Sequence, residues 1–172
     1  MAMVLLTEAV KLTLFPALMA FAAASDLVTM TIANRVALTL VAGFGLLAAL
    51  TGMSPASVVS HVGAAAAVLV VVFVFFTRGW IGGGDAKLAA ATVLWLGLAH
   101  LADYLVYASL FGGALTLLII QFRAMPLPQL FTGREWAERL HRSDGGVPYG
   151  IALAAAALLV YPQTEWMTAM VR

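Results

Sequence analysis

The chain has 172 residues, 63% of them hydrophobic and 10% charged, with a mean hydropathy of +1.02 and a formal net charge of +1. A composition this apolar excludes an ordinary soluble domain and makes the bilayer the solvent. A near-neutral charge without a basic arm argues against a nucleic-acid partner, and the absence of cysteine removes disulfides, thiolate catalysis and Cys-ligated metal centres.

Breaking the apolar runs at clusters of charge, Gly and Pro predicts six membrane helices, at about 4–24, 36–53, 58–76, 86–102, 104–122 and 147–168. The first, MAMVLLTEAVKLTLFPALMAFAAAS, reads as a retained helix rather than a signal peptide. Its first Lys is Lys11, which follows Glu8 inside the apolar stretch instead of preceding it. Glu8 and Lys11 lie three apart and are expected to pair or to snorkel outward. Asp26 ends this helix. The second helix follows Asn34, whose side chain reads as a cap or as a hydrogen-bonding group for substrate.

Gly43 and Gly45 in the second helix, and Gly112 and Gly113 in the fifth, are expected to mark close helix contacts. The third helix, SVVSHVGAAAAVLVVVFVFF, contains no acid. Before the fourth comes GGGDAKL, residues 82–88. Gly82, Gly83 and Gly84 leave room for another chain to approach the backbone. Asp85 then opens the fourth helix, where unpaired N–H groups favour a carboxylate.

Residues 123–146 form the one sizeable polar loop. Thr132 and Glu135 have capping-box spacing, flanked by Phe131 and Trp136 at staple positions, which predicts a short amphipathic helix over 133–141 lying along the membrane surface. Asp103, His100 and His61 read as interfacial residues. His141, Asp144 and the loop arginines read as cytoplasmic surface.

With six spans, connections 1, 3 and 5 share one side and carry Arg35, Arg78, Lys87, Arg123, Arg134, Arg139 and Arg142. The other side has Arg172 and at most Lys11. The positive-inside rule therefore places the odd connections in the cytoplasm and both termini outside. Asp26 and Asp85 both fall at the cytoplasmic boundary.

Ionisable groups at a membrane are functional candidates whose partners must be named. Two carboxylates held close share a proton: one serves as base toward a water while the other hydrogen-bonds the scissile carbonyl, which is metal-free and cofactor-free peptide hydrolysis. The residues alone leave a bland reading open, since a Gly-rich turn ending in Asp also makes a helix cap.

SDLVTMTIANR at 25–35, GGGDAKLAAATVLWLG at 82–97 and, more weakly, VPYGIALAAAALL at 147–159 resemble the type IV prepilin peptidases, in particular the short form that processes Flp pilins. Asp26, Asn34, Lys87 and Tyr149–Gly150 fall around Gly82, Gly84 and Asp85 in that family's order. The resemblance implies an aspartic endopeptidase with Asp26 and Asp85 as its catalytic pair. It would cut prepilins, between a basic leader and a hydrophobic helix, at the cytoplasmic face of the bacterial inner membrane. Ala33 departs from the family's usual Pro before Asn34. The longer relatives carry a cysteine-containing domain and also methylate the new N-terminus; this chain has neither those cysteines nor room for that domain, so methylation is not expected.

Lys87 reads either as a charge tuning a carboxylate or as a mark of the positive inside, and Tyr149 as an orienting group or an interface anchor. Two competing functions carry their own signatures. An intramembrane protease of the presenilin kind would need an acid on the third helix, and a small transporter would need ionisable groups near the midplane or a repeat between halves. The expected protein is thus an all-α, polytopic, single-domain membrane peptidase over 1–172, of unspecified oligomeric state, with the bilayer and prepilins as its partners.

Overall fold

The computed structural model describes residues 2–168, the side chains of residues 2–4 and 6 excepted. Arg172, part of the charge count above, lies outside them. The described chain is helical, with α1 Ala2–Thr29, α2 Asn34–Thr51, α3 Pro55–Thr77, α4 Gly83–Leu96, α5 Leu101–Ala124, α6 Glu135–His141, α7 Tyr149–Val160 and α8 Glu165–Thr168, joined by short turns and 3-10 segments. Four stretches among the described residues are long and apolar enough to cross a bilayer: Thr7–Thr29, Asn34–Thr51, Pro55–Thr77 and Leu98–Ala124.

The other two expected spans are interrupted. The fourth ends at Gly97, whose φ of +74° leaves the helical region. That leaves α4 with 14 residues, about 21 Å at 1.5 Å per residue, against a hydrocarbon core of about 30 Å. The sixth stops at Val160, where Pro162 sits in a 3-10 turn, and resumes briefly as α8. A proline cannot donate to the helical ladder, so the chain turns there.

Local chemistry explains the other boundaries. Gly52, at φ +66°, closes α2 by donating its N–H to the carbonyls of Ala48 and Ala49, as a left-handed C-terminal glycine does. Ser54 caps α3 by accepting the Ser57 N–H at 3.1 Å, with Pro55 in the first turn.

The short helix α4 is the centre of the bundle. It packs against α2, α3 and α7, and ten of its residues, from Ala86 to Leu96, are buried. By contrast α3 buries only His61, Ala64 and Val68, so its surface faces outward as a lipid-facing helix does. Helix α7 reaches α1, α4 and α5 at once because Ala152, Ala154, Ala156 and Ala157 are buried on it; small side chains let backbones approach where lipid provides no hydrophobic drive.

The end of α4 is held by side chains. His61 Nδ1 donates to the Leu94 carbonyl at 2.8 Å, and Trp166 Nε1 to the Trp95 carbonyl at 2.8 Å. These replace hydrogen bonds that the break at Gly97 removes. Around them Phe15, Phe44, Trp95, Tyr161 and Trp166 form an aromatic cluster. His61 is therefore a buried structural residue rather than the interfacial one its sequence position implies.

Gly43 is a contact point, since a Cβ there would meet Leu14 at 2.6 Å, and Gly112 packs on the Tyr149 ring. Gly45 and Gly113 face open space instead. Glu8 and Lys11 do pair, at 2.9 Å, but Lys11 is buried rather than snorkelling outward.

Candidate active site

Asp26 lies inside α1, a turn before the helix ends, rather than after it. It is 5% exposed. Its Oδ2 accepts the Gly150 N–H at 2.7 Å. Gly150 is in the first turn of α7, so the carboxylate sits where a helix presents unpaired donors and its positive dipole end. A Cβ on Gly150 would lie 2.8 Å from Asp26 Oδ2 and 2.7 Å from Ile32 Cδ1. Glycine is what allows this helix to rest on the aspartate.

After Asp26 the chain turns sharply. Met30 adopts φ +54°, a conformation costly for a residue with a side chain, and its N–H closes on the Asp26 carbonyl at 2.8 Å. Ser25 Oγ donates to the Thr31 carbonyl at 2.9 Å. The turn delivers Ile32 against the second aspartate's loop: a Cβ on Gly84 would meet Ile32 Cβ at 3.1 Å and its N at 3.3 Å. Ile32 thus bridges Gly84, beside Asp85, and Gly150, beside Asp26.

Asp85 occupies the first turn of α4, with Gly82 as the N-cap residue. Its side chain takes a hydrogen bond from the Gly82 backbone, so the helix-cap reading describes part of its local role. The Asp26 carboxylate is near enough for its charge to act on the Asp85 carboxyl. The two carboxylates, 59 positions apart along the chain, therefore share one electrostatic site.

The three glycines have separate tasks. A Cβ on Gly82 would crowd Asp85 Oδ2 at 3.1 Å, one on Gly83 would meet the Phe76 ring at 3.1 Å, and Gly84 admits Ile32. The room expected beside Gly84 for another chain is filled by this chain's own turn.

Lys87 Nζ donates to Asn34 Oδ1 at 2.8 Å. Asn34 is the first residue of α2, behind Ala33 as N-cap, and no side chain caps that helix. The cap expected of Asn34 is thus replaced by a bond tying α2 to α4 just beyond Asp85. Tyr149 is partly exposed; its hydroxyl meets Thr116 Oγ1 at 3.0 Å.

The polar loop folds over this end of the bundle. Arg139 Nη1 donates to the Val28 carbonyl at 2.9 Å, and Arg123 to the carbonyls of Leu140 and Gly146 at 2.9 and 2.7 Å. These two arginines hold backbone rather than a free surface. Helix α6 appears where expected and Phe131 meets Trp136 edge-on at 5.6 Å. The capping box does not form, because Arg134 is the N-cap residue and Gly133 N–H bonds Glu138 Oε1 instead. Sequence reading missed the contribution of Ile32 and the Arg139 anchor. Ile32 carries no chemistry to flag it, and both contacts join segments remote in the chain.

The family profile described as the type IV leader peptidase family matches residues 13–117. The match takes in Asp26 and Asp85 and ends before Gly150. Comparison with curated proteins and with solved structures finds no match.

Proposed function

This chain belongs to the type IV leader peptidase family, and from that membership we propose an aspartic endopeptidase that removes the leader from Flp-type prepilins at the cytoplasmic boundary of the bacterial inner membrane. The observation that carries the reading is the shared site of Asp26 and Asp85, each set at a helix N-terminus and coupled electrostatically.

In this mechanism the pair shares one proton, carried by Asp85 as the acid. Asp26, seated on the Gly150 N–H, is the base. It takes a proton from water as the water oxygen attacks the scissile carbonyl carbon, while Asp85 gives its proton to the carbonyl oxygen. The tetrahedral intermediate then collapses: the C–N bond breaks, the departing nitrogen takes the proton from Asp26, and the gem-diol proton returns to Asp85. Proximity of the groups and their fixed donors supply the rate.

The arrangement in the membrane extends the same reading. Both aspartates face the cytoplasm, with six helical passes formed by α1, α2, α3, α4, α5 and the α7–α8 hairpin of broken helices, and both termini outside. Helices α4 and α7 are enclosed by longer neighbours, which lets the irregular backbone at Gly97 and Pro162 persist at membrane depth.

The test is purified protein in vesicles, incubated with a Flp-type prepilin and read by product mass. A single cut between the basic leader and the hydrophobic helix supports the proposal. A cut within that helix would instead place the protein with intramembrane proteases.

A further inference from the structure

The two aspartates belong to helices that scarcely rest on each other. Helix α1 packs chiefly on α2 and α7, and α4 on α2, α3 and α7. A buried contact nonetheless spans them directly: Thr92 Oγ1 on α4 donates to Met19 Sδ on α1 at 3.7 Å, and both residues are fully buried.

The register of this contact ties it to the site. Met19 lies seven residues before Asp26, and Thr92 seven after Asp85. Seven residues make almost two helical turns, about 10 Å along the axis, so each partner stands on the same helix face as its aspartate. Helix α1 ends beside the site and α4 begins there, so both partners lie further into the bundle at matching depth. Ala22, between Met19 and Asp26, and Leu88 and Ala89, between Asp85 and Thr92, are buried too.

The direction of the Thr92 hydroxyl is also informative. Thr13, Thr39, Thr51 and Thr116 turn theirs back onto a carbonyl of their own helix, at Ala9, Arg35, Leu47 and Gly112, as helical threonines commonly do. Thr92 reaches across to α1 instead. Valine would fill the same space without burying a hydroxyl, whose desolvation only a partner offsets. Tyr104, fully buried on α5, stands beside Thr92 and near enough for the Asp85 charge to act on it.

We propose that the Thr92–Met19 contact is a brace that sets the separation of the catalytic carboxylates, which makes Thr92 and Met19 positioning residues. The inference rests on the peptidase reading. On the other side of the pair, Ile32 bridges Gly84 and Gly150, so the aspartates are held between a wedge and a brace. A helix is stiff over two turns, and a slip of about 1 Å between α1 and α4 at the brace is carried to the carboxylates, where it can cost up to about a hundredfold in rate.

The experiment measures precursor cleavage in phosphatidylethanolamine–phosphatidylglycerol vesicles over a range of Flp-type prepilin concentrations. Thr92→Val removes the hydroxyl at constant volume, and Met19→Leu removes the sulfur. Each is expected to lower kcat about tenfold while KM stays within about twofold of wild type, and the double variant should be no slower than either single. Thr92→Ser, which keeps the hydroxyl, should keep the wild-type kcat. If Thr92→Val does not fold, Met19→Leu decides. Unfolding midpoints separate positioning from plain destabilisation, with Trp166→Phe as the comparator that lowers the midpoint and keeps kcat. Wild-type kcat in Thr92→Val or Met19→Leu overturns the proposal, as do additive losses in the double variant, Thr92→Ser as slow as Thr92→Val, or a kcat that merely follows the midpoint across all variants. In each of those cases wild-type protein still cuts precursor, and the peptidase reading stands. If wild type cuts nothing, the peptidase reading has failed and the brace falls with it.

Discussion

Gly150 and Asp26 are joined by a 2.7 Å hydrogen bond across 124 residues of chain, with no room for a side chain between them. A methyl group on Gly150 would meet the carboxylate oxygen and the Ile32 side chain together. Gly150→Ala is therefore expected to displace Asp26 and reduce precursor cleavage by about a hundredfold, with the protein still inserted in membrane. Cleavage assays alongside a thermal unfolding curve check this. Near-normal activity would show that Asp26 does not depend on α7 for its position.

Both aspartates and their order were legible from SDLVTMTIANR and GGGDAKL, because an acid at a membrane boundary stands out against apolar neighbours. Long runs such as α3 were legible for the same reason, to within a few residues at each end. The breaks in the fourth and sixth expected spans were not, since the residues on both sides of Gly97 and Pro162 stay apolar and hydropathy does not register a turn. The glycine and the proline themselves were the available signal. Partnerships such as Lys87 with Asn34, 53 residues apart, are set by tertiary packing, which spacing along the chain does not encode.

That Lys87–Asn34 bond is exposed, so it is expected to couple weakly. Lys87→Met, Asn34→Ala and the double variant, compared by unfolding in detergent, should give a coupling of about 0.5–1 kcal/mol. Additive effects would show that the pair does not tie α2 to α4.

At the opposite end of the bundle, Trp166 Nε1 satisfies the buried Trp95 carbonyl at 2.8 Å. Trp166→Phe keeps an aromatic ring but removes the donor, and should destabilise the protein by about 1–3 kcal/mol. Since this contact is remote from the aspartates in the fold, kcat at a temperature well below unfolding should be retained. A selective loss of kcat in a fully folded variant would show coupling between the two ends.

The central claim, that Asp26 and Asp85 act together to hydrolyse a peptide bond, is tested most directly by Asp26→Asn and Asp85→Asn, each purified folded in vesicles and assayed on a Flp-type prepilin that wild-type protein cuts. Each variant should lose at least about a thousandfold in rate, with the double variant no worse than the singles because the pair works as a unit. Substantial cleavage by either single variant would contradict it.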